Sequence, residues 1–145
     1  MGIFSLFGKA KSKPQVHIDN KVVEEISAVA FSFIDMQLFM YKDENNTLPS
    51  EVIDNWSIGY VAGVVDYLLY SKNIGNNTST GAQTMFNVFS TTLGNGELFG
   101  KFMGIQSDSK TMEGMKTGGD EVMKFIENSS NIPKGLSKHI SSNKV

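Results

Sequence analysis

The sequence predicts an all-α protein, a compact bundle of four principal helices plus one short helix, set between flexible basic termini. Apolar residues recur at three- and four-residue spacing over long stretches, no segment sustains the alternation of a strand, and turn-forming clusters cut the chain into helix-length pieces. The 145 residues suit one domain with a core that needs no disulfide or metal. Its expected limits are a basic amino-terminal segment over residues 1–18, a helical domain over 19–130 and a flexible tail over 131–145.

The first helix is expected over about 20–42, capped by Asp19 or Asn20, with Ile26, Val29, Phe33, Met36 and Met40 as its inner stripe. The polar turn KDENNT leads to Pro49 and Ser50, where the second helix starts and runs to about residue 71. There Val52, Trp56, Tyr60, Val64 and Leu68 recur every four residues, and Ile53, Tyr67 and Tyr70 widen the apolar surface, so this helix is mostly buried. The short link makes the first two helices antiparallel. After the turn-rich SKNIGNNTSTG, the capping-box pair Thr80 and Gln83 opens a third helix over about 80–93. Gly94 and Gly96 stop it in the left-handed manner, a short helix follows near 96–105, and Ser107 or Asp108 caps a last long helix over about 108–128. The tail reads as extended. Trp56, Tyr60, Val64, Phe33, Met36 and Phe86 are the expected core.

Composition excludes several functions. There is no cysteine, which removes disulfide frameworks, thiolate nucleophiles and cysteine-ligated metals. All 13 basic residues are lysine, so the bidentate arginine reader of phosphate and guanine is missing. Residues 1–21 carry a charge of +3, residues 22–130 carry −8 and residues 131–145 carry +3. An acidic body with few, scattered terminal lysines is no nucleic-acid surface. His17 and His139 lie in the polar ends without ligand spacing, and the glycine-rich loops lack the phosphate-loop pattern; no metal and no cofactor are expected.

The candidate functional residues fall into four groups. Gly59 and Gly63 sit one turn apart in the most apolar helix and form a seam for close packing, either against Phe31 to Leu38 of the first helix or against the same helix of a second copy. Asp35 and Asp66 each interrupt an apolar run and, across antiparallel helices, are placed to face one cavity as acid and base or as cation ligands. Met112, Met115 and Met123 on the glycine-rich last helix offer an adaptable surface to a peptide or a lipid-like ligand. Phe4 and Phe7 ahead of Lys9, Lys11 and Lys13 form a short membrane-surface foot, too brief for a signal sequence.

GYVAGVVD, from Gly59 to Asp66, resembles a stretch of the bacterial immunity proteins that neutralise type VI secretion amidases. The resemblance covers eight residues. Those proteins usually carry an export signal and cysteines, which this sequence lacks, and no residue roles are carried over. The functional expectation is a non-enzymatic cytoplasmic protein, from a bacterium or another AT-rich genome, that binds another protein or itself. Two alternatives stand beside it: a small enzyme or cation-binding protein using Asp35 and Asp66, and a peripheral membrane protein using the amino-terminal foot.

Overall fold

The computed structural model describes residues 17–143. Among them every regular element is helical: α1 (Asn20–Leu38), α2 (Asn55–Tyr70), α3 (Ser79–Thr92), α4 (Leu98–Gly104), α5 (Ser109–Glu127) and α6 (Gly135–Asn143), with 3₁₀ turns at Phe39–Tyr41 and Ser50–Val52. Side-chain oxygens start four of them by accepting orphan amides: Asp19 from Val22, Asp54 from Ser57, Thr78 from Gly81, and Asp108 from Lys110 and Thr111. The expected caps at Asp19 and Asp108 are in place. Thr80 is not a cap, because it lies inside α3 and its hydroxyl accepts the Asp19 amide at 2.9 Å. The second helix starts later than expected, since the residues after Pro49 close a 3₁₀ turn before Asp54 begins the α-helix. Gly94 takes φ +79° and ends α3 in the left-handed region.

α2 is the axis of the molecule, with every residue from Trp56 to Val65 buried. Gln37 of α1 meets Tyr60 and Glu25 meets Lys72, so α1 and α2 run antiparallel. The most extensive contact is between α2 and α5, and it is a parallel one. A Cβ on Gly59 would strike the Thr111 carbonyl and one on Gly63 the Met115 carbonyl; in the reverse direction Gly114 lies on the Trp56 carbonyl and Gly118 on that of Tyr60. Two glycine pairs at four-residue spacing thus interlock, each helix resting bare backbone on the other. The seam predicted from Gly59 and Gly63 exists within one chain. Its partner is α5, not residues 31–38 of α1, because only α5 brings glycines of its own to the crossing.

Three expectations need correction. The tail is not extended: α6 folds back with Leu136 and Ile140 fully buried, giving a sixth helix where five were expected. Met36 is 40% exposed, because the buried arc of α1 runs through Ile26, Ala30, Phe33, Ile34 and Gln37. Gln37 lies on that inner arc, held by its hydrogen bonds to Tyr60 and Leu136, while Val29 and Met36 of α1 and Met40 of the 3₁₀ turn after it face outward. Phe86 is 46% exposed, its ring lying over Gly96 while Met85, Val88 and Phe89 fill the core. Trp56, Tyr60, Val64 and Phe33 are buried as expected.

Candidate functional site

The α2–α5 seam opens at one end into a groove of about 550 Å³. Glycines make its floor: a Cβ on Gly119 would stand 3.6 Å from the Gly63 carbonyl oxygen, so backbone lies open where a side chain would otherwise fill the space. α2 supplies Tyr67 and Tyr70, the following loop Ile74, and α5 supplies Met115 and Met123. The polar margin is Asp66, Asn76, Lys116 and Asp120. Asp66 accepts a 2.7 Å hydrogen bond from the Asn76 amide, and Lys116 pairs with Asp120 at 3.3 Å, which leaves the margin with one more acid than base. Tyr70 is 75% exposed, an aromatic ring at the lip.

Four residues singled out in the sequence, Gly63, Asp66, Met115 and Met123, therefore meet at one place. The others do not join them. Gly59 lies deeper in the seam, against Thr111. Met112 is exposed outside the groove, since the inward face of α5 is Thr111, Gly114, Gly118 and Val122. Asp35 does not line the groove with Asp66: it accepts a 2.7 Å bond from Lys42, whose side chain is almost fully covered and whose ammonium stands 5.9 Å from the centre of the Phe31 ring. It neutralises that cation. The expected shared cavity of the two acids is thereby replaced by two separate jobs. Phe4, Phe7, Lys9, Lys11 and Lys13 lie outside the described residues.

Two polar clusters escaped the sequence reading. In the first, the Tyr60 hydroxyl donates to Glu121 at 2.5 Å and accepts from the Gln37 amide at 2.9 Å. Glu121 in turn accepts the Gly135 amide with both oxygens, and the Gln37 carbonyl oxygen accepts the amides of Leu136 and Ser137. The start of α6 is thus capped by side chains from α1 and α5 with Tyr60 between them. Burial, reinforced by the Glu121 carboxylate, pushes the Tyr60 hydroxyl far above the usual tyrosine range, so it stays protonated and acts as a fixed donor. No local pattern announces this cluster, because its members are scattered along the chain.

In the second, the His139 ring stacks on Trp56 with centroids 4.2 Å apart and its Nε2 lies 2.8 Å from Asp54 Oδ2. His139, read in the sequence as a residue of the polar end, is carried by α6 onto the start of α2. Burial works to raise the Asp54 carboxyl, but the Ser57 amide and His139 outweigh it and hold the group below its ordinary value. A histidine beside an aspartate is half of a nucleophilic apparatus, yet the hollow of about 320 Å³ beside it is lined by Asp54, Asn55, Trp56, Lys110 and His139, without a hydroxyl or thiol. The pair works as a clamp between α6 and α2. Among the described residues no group of three or more histidines and acids is placed to hold a metal ion, and no helix is long and apolar enough to cross a membrane.

The chain matches no protein-family model, no curated protein and no solved structure.

Proposed function

We propose that this protein acts without catalysis, by holding an apolar segment of another protein in the groove between α2 and α5. The observation that carries this reading is the meeting of bare glycine backbone, two methionines and two tyrosines in one open, acid-edged cleft. Methionine side chains adapt to varied apolar shapes, and tyrosine offers a broad contact face with a polar end. The acids favoured as catalysts in the alternative reading are spoken for: Asp35 neutralises Lys42 and Asp66 holds Asn76. Self-association through the Gly59–Gly63 seam is disfavoured because α5 already fills it.

The test is capture of partners by the native protein and by two variants. Tyr70→Asp places a charge at the groove lip, and Met112→Lys changes an exposed methionine outside it. Both are surface changes and should alter stability by less than about 0.5 kcal/mol. A partner held by the native protein and by Met112→Lys, but lost by Tyr70→Asp, is the expected result. Equal capture by both variants would remove the groove from the function.

A further inference from the structure

Granting that the groove holds a partner segment, we infer that the segment is anchored by a basic side chain, a lysine or arginine set among apolar residues, whose cationic head meets Asp66. The charges along the groove lead there first. Its lining holds three charged residues, Asp66, Lys116 and Asp120. Lys116 and Asp120 are neighbours on α5 and pair at 3.3 Å, with the lysine side chain 81% exposed to solvent. Just past Tyr70, Lys72 is matched by Glu25 at 3.4 Å. Asp66 is left without a cation among the described residues, because its partner Asn76 is neutral.

The balance of donors and acceptors points the same way. The Asn76 amide nitrogen occupies one Asp66 oxygen at 2.7 Å. Among the described residues the other Asp66 oxygen has no protein donor, and the Asn76 carbonyl oxygen and the Tyr67 and Tyr70 hydroxyls have no protein partner. The groove therefore offers a carboxylate oxygen, an amide oxygen and two phenols, while its one cationic side chain, Lys116, is engaged by Asp120. Such a lining calls for a ligand that is positively charged and rich in donors.

Shape supplies the last step. A lysine or arginine carries an aliphatic stem beneath its charge and buries that stem along apolar surface while the head stays among polar groups. Met115 and Met123 of α5 and Ile74 of the loop give the apolar surface, and Tyr67 and Tyr70 add ring faces that attract a cation. Asp66, Tyr67 and Tyr70 all belong to the end of α2, so one helix terminus presents both the charge and the rings. The other classes of segment are worse matched. An acidic one would set its charge against Asp66, and a wholly apolar one would cover that carboxylate without a partner, at a cost in affinity.

The test uses the full chain and two probes: a short capped peptide with one lysine among leucines and phenylalanines, and the same peptide with norleucine in place of the lysine. Binding is followed by nuclear magnetic resonance at the amides of Gly63, Tyr67, Tyr70 and Met115. Norleucine is the more apolar side chain, so a groove without a working acid would prefer it. The lysine peptide should instead bind about three- to tenfold more tightly at low salt, the margin shrinking as salt is added. Asp66→Asn keeps an acceptor for Asn76 and should abolish the preference; Lys116→Gln leaves Asp120 unmatched and should widen it. Equal or reversed affinity for the two peptides overturns the inference, as does a lysine preference that survives Asp66→Asn or fails to grow in Lys116→Gln. Binding of neither peptide, or shifts centred outside the groove, overturns it too. The Tyr70→Asp capture experiment stays separate, because a charge at that exposed lip is screened by solvent and the variant reports loss of the ring. Capture lost in Tyr70→Asp without any lysine preference keeps the groove and removes the basic anchor, whereas a lysine preference without a captured partner keeps the cation site and removes the reading on which it rests.

Discussion

The two helices that follow α4 are attached to the rest of the bundle by opposite means. α5 rests on α2 through backbone: Gly59 and Gly63 receive Thr111 and Met115, and Gly114 and Gly118 receive Trp56 and Tyr60. α6 is held mainly through side chains, with Leu136 and Ile140 buried, Glu121 and Gln37 at its first amides, and His139 against Trp56 and Asp54. Backbone-to-backbone contact has no rotamer to adjust, so the seam is intolerant of any added atom. The side-chain attachment is divided among several independent bonds, and losing one of them loosens a part. The backbone-packed helix α5 lines the groove, and the side-chain-held α6 does not.

The largest effect should follow from breaking the seam. Gly118→Val sets two methyl groups against the Tyr60 carbonyl, where neither helix has a side chain to move aside. Overpacking of this sort costs about 3 kcal/mol, well above the gain in helix propensity from removing glycine. Urea unfolding should show the loss, and a variant as stable as the parent would mean that α5 does not lie on α2 in solution. An intermediate effect should follow from Glu121→Ala. It leaves the buried Tyr60 hydroxyl and the Gly135 amide without their acceptor, at about 1–3 kcal/mol. Hydrogen exchange should quicken at Leu136 and Ile140 while the amides of α2 and α5 keep their protection. Uniform loss of protection would contradict the independence of the two attachments.

The same contrast explains what was legible in the sequence. Helix α2, its glycine pair and the caps at Asp19 and Asp108 are written in local spacing, and local spacing is what a single sequence displays. The seam's partner was misjudged because the glycines of the last helix carry no apolar signal, and the value of Gly114 and Gly118 lies in the absent side chain, which shows only once α5 is laid on α2. α6 was hidden for a different reason. SSNIPKGLSKHISSNKV holds few apolar residues and has no cap of its own, its first amides being satisfied by Glu121 and Gln37 from distant parts of the chain. The groove was half visible: Gly63, Asp66, Met115 and Met123 stood out one by one, but only the parallel crossing of α2 and α5 puts them together. Met36 and Phe86 misled because an apolar stripe defines a face only to within about one residue, and Gln37 claimed the inner position.

The smallest effect, and the sharpest test of the side-chain attachment, lies at Asp54. Asparagine caps a helix as well as aspartate does, so Asp54→Asn keeps the Ser57 amide satisfied by a neutral acceptor and removes the charge that faces both the start of α2 and His139. The site is partly open to solvent, and the loss at neutral pH should stay below about 1 kcal/mol. Its pH dependence carries the information. The folded state holds the Asp54 carboxyl below its ordinary value of 3.8, the amide of Ser57 and the His139 ring outweighing the effect of burial. The ionised carboxylate therefore contributes stability that is fully present above 3.8 and fades as the pH falls through the lower folded value. The asparagine variant has no such contribution to lose. Unfolding midpoints of the two proteins should differ at neutral pH and draw together in acid. A gap that stays constant across the acid range would show that the charge on Asp54 adds nothing, either at the start of α2 or toward His139, and the hold on α6 there would then rest on the stacking of His139 against Trp56.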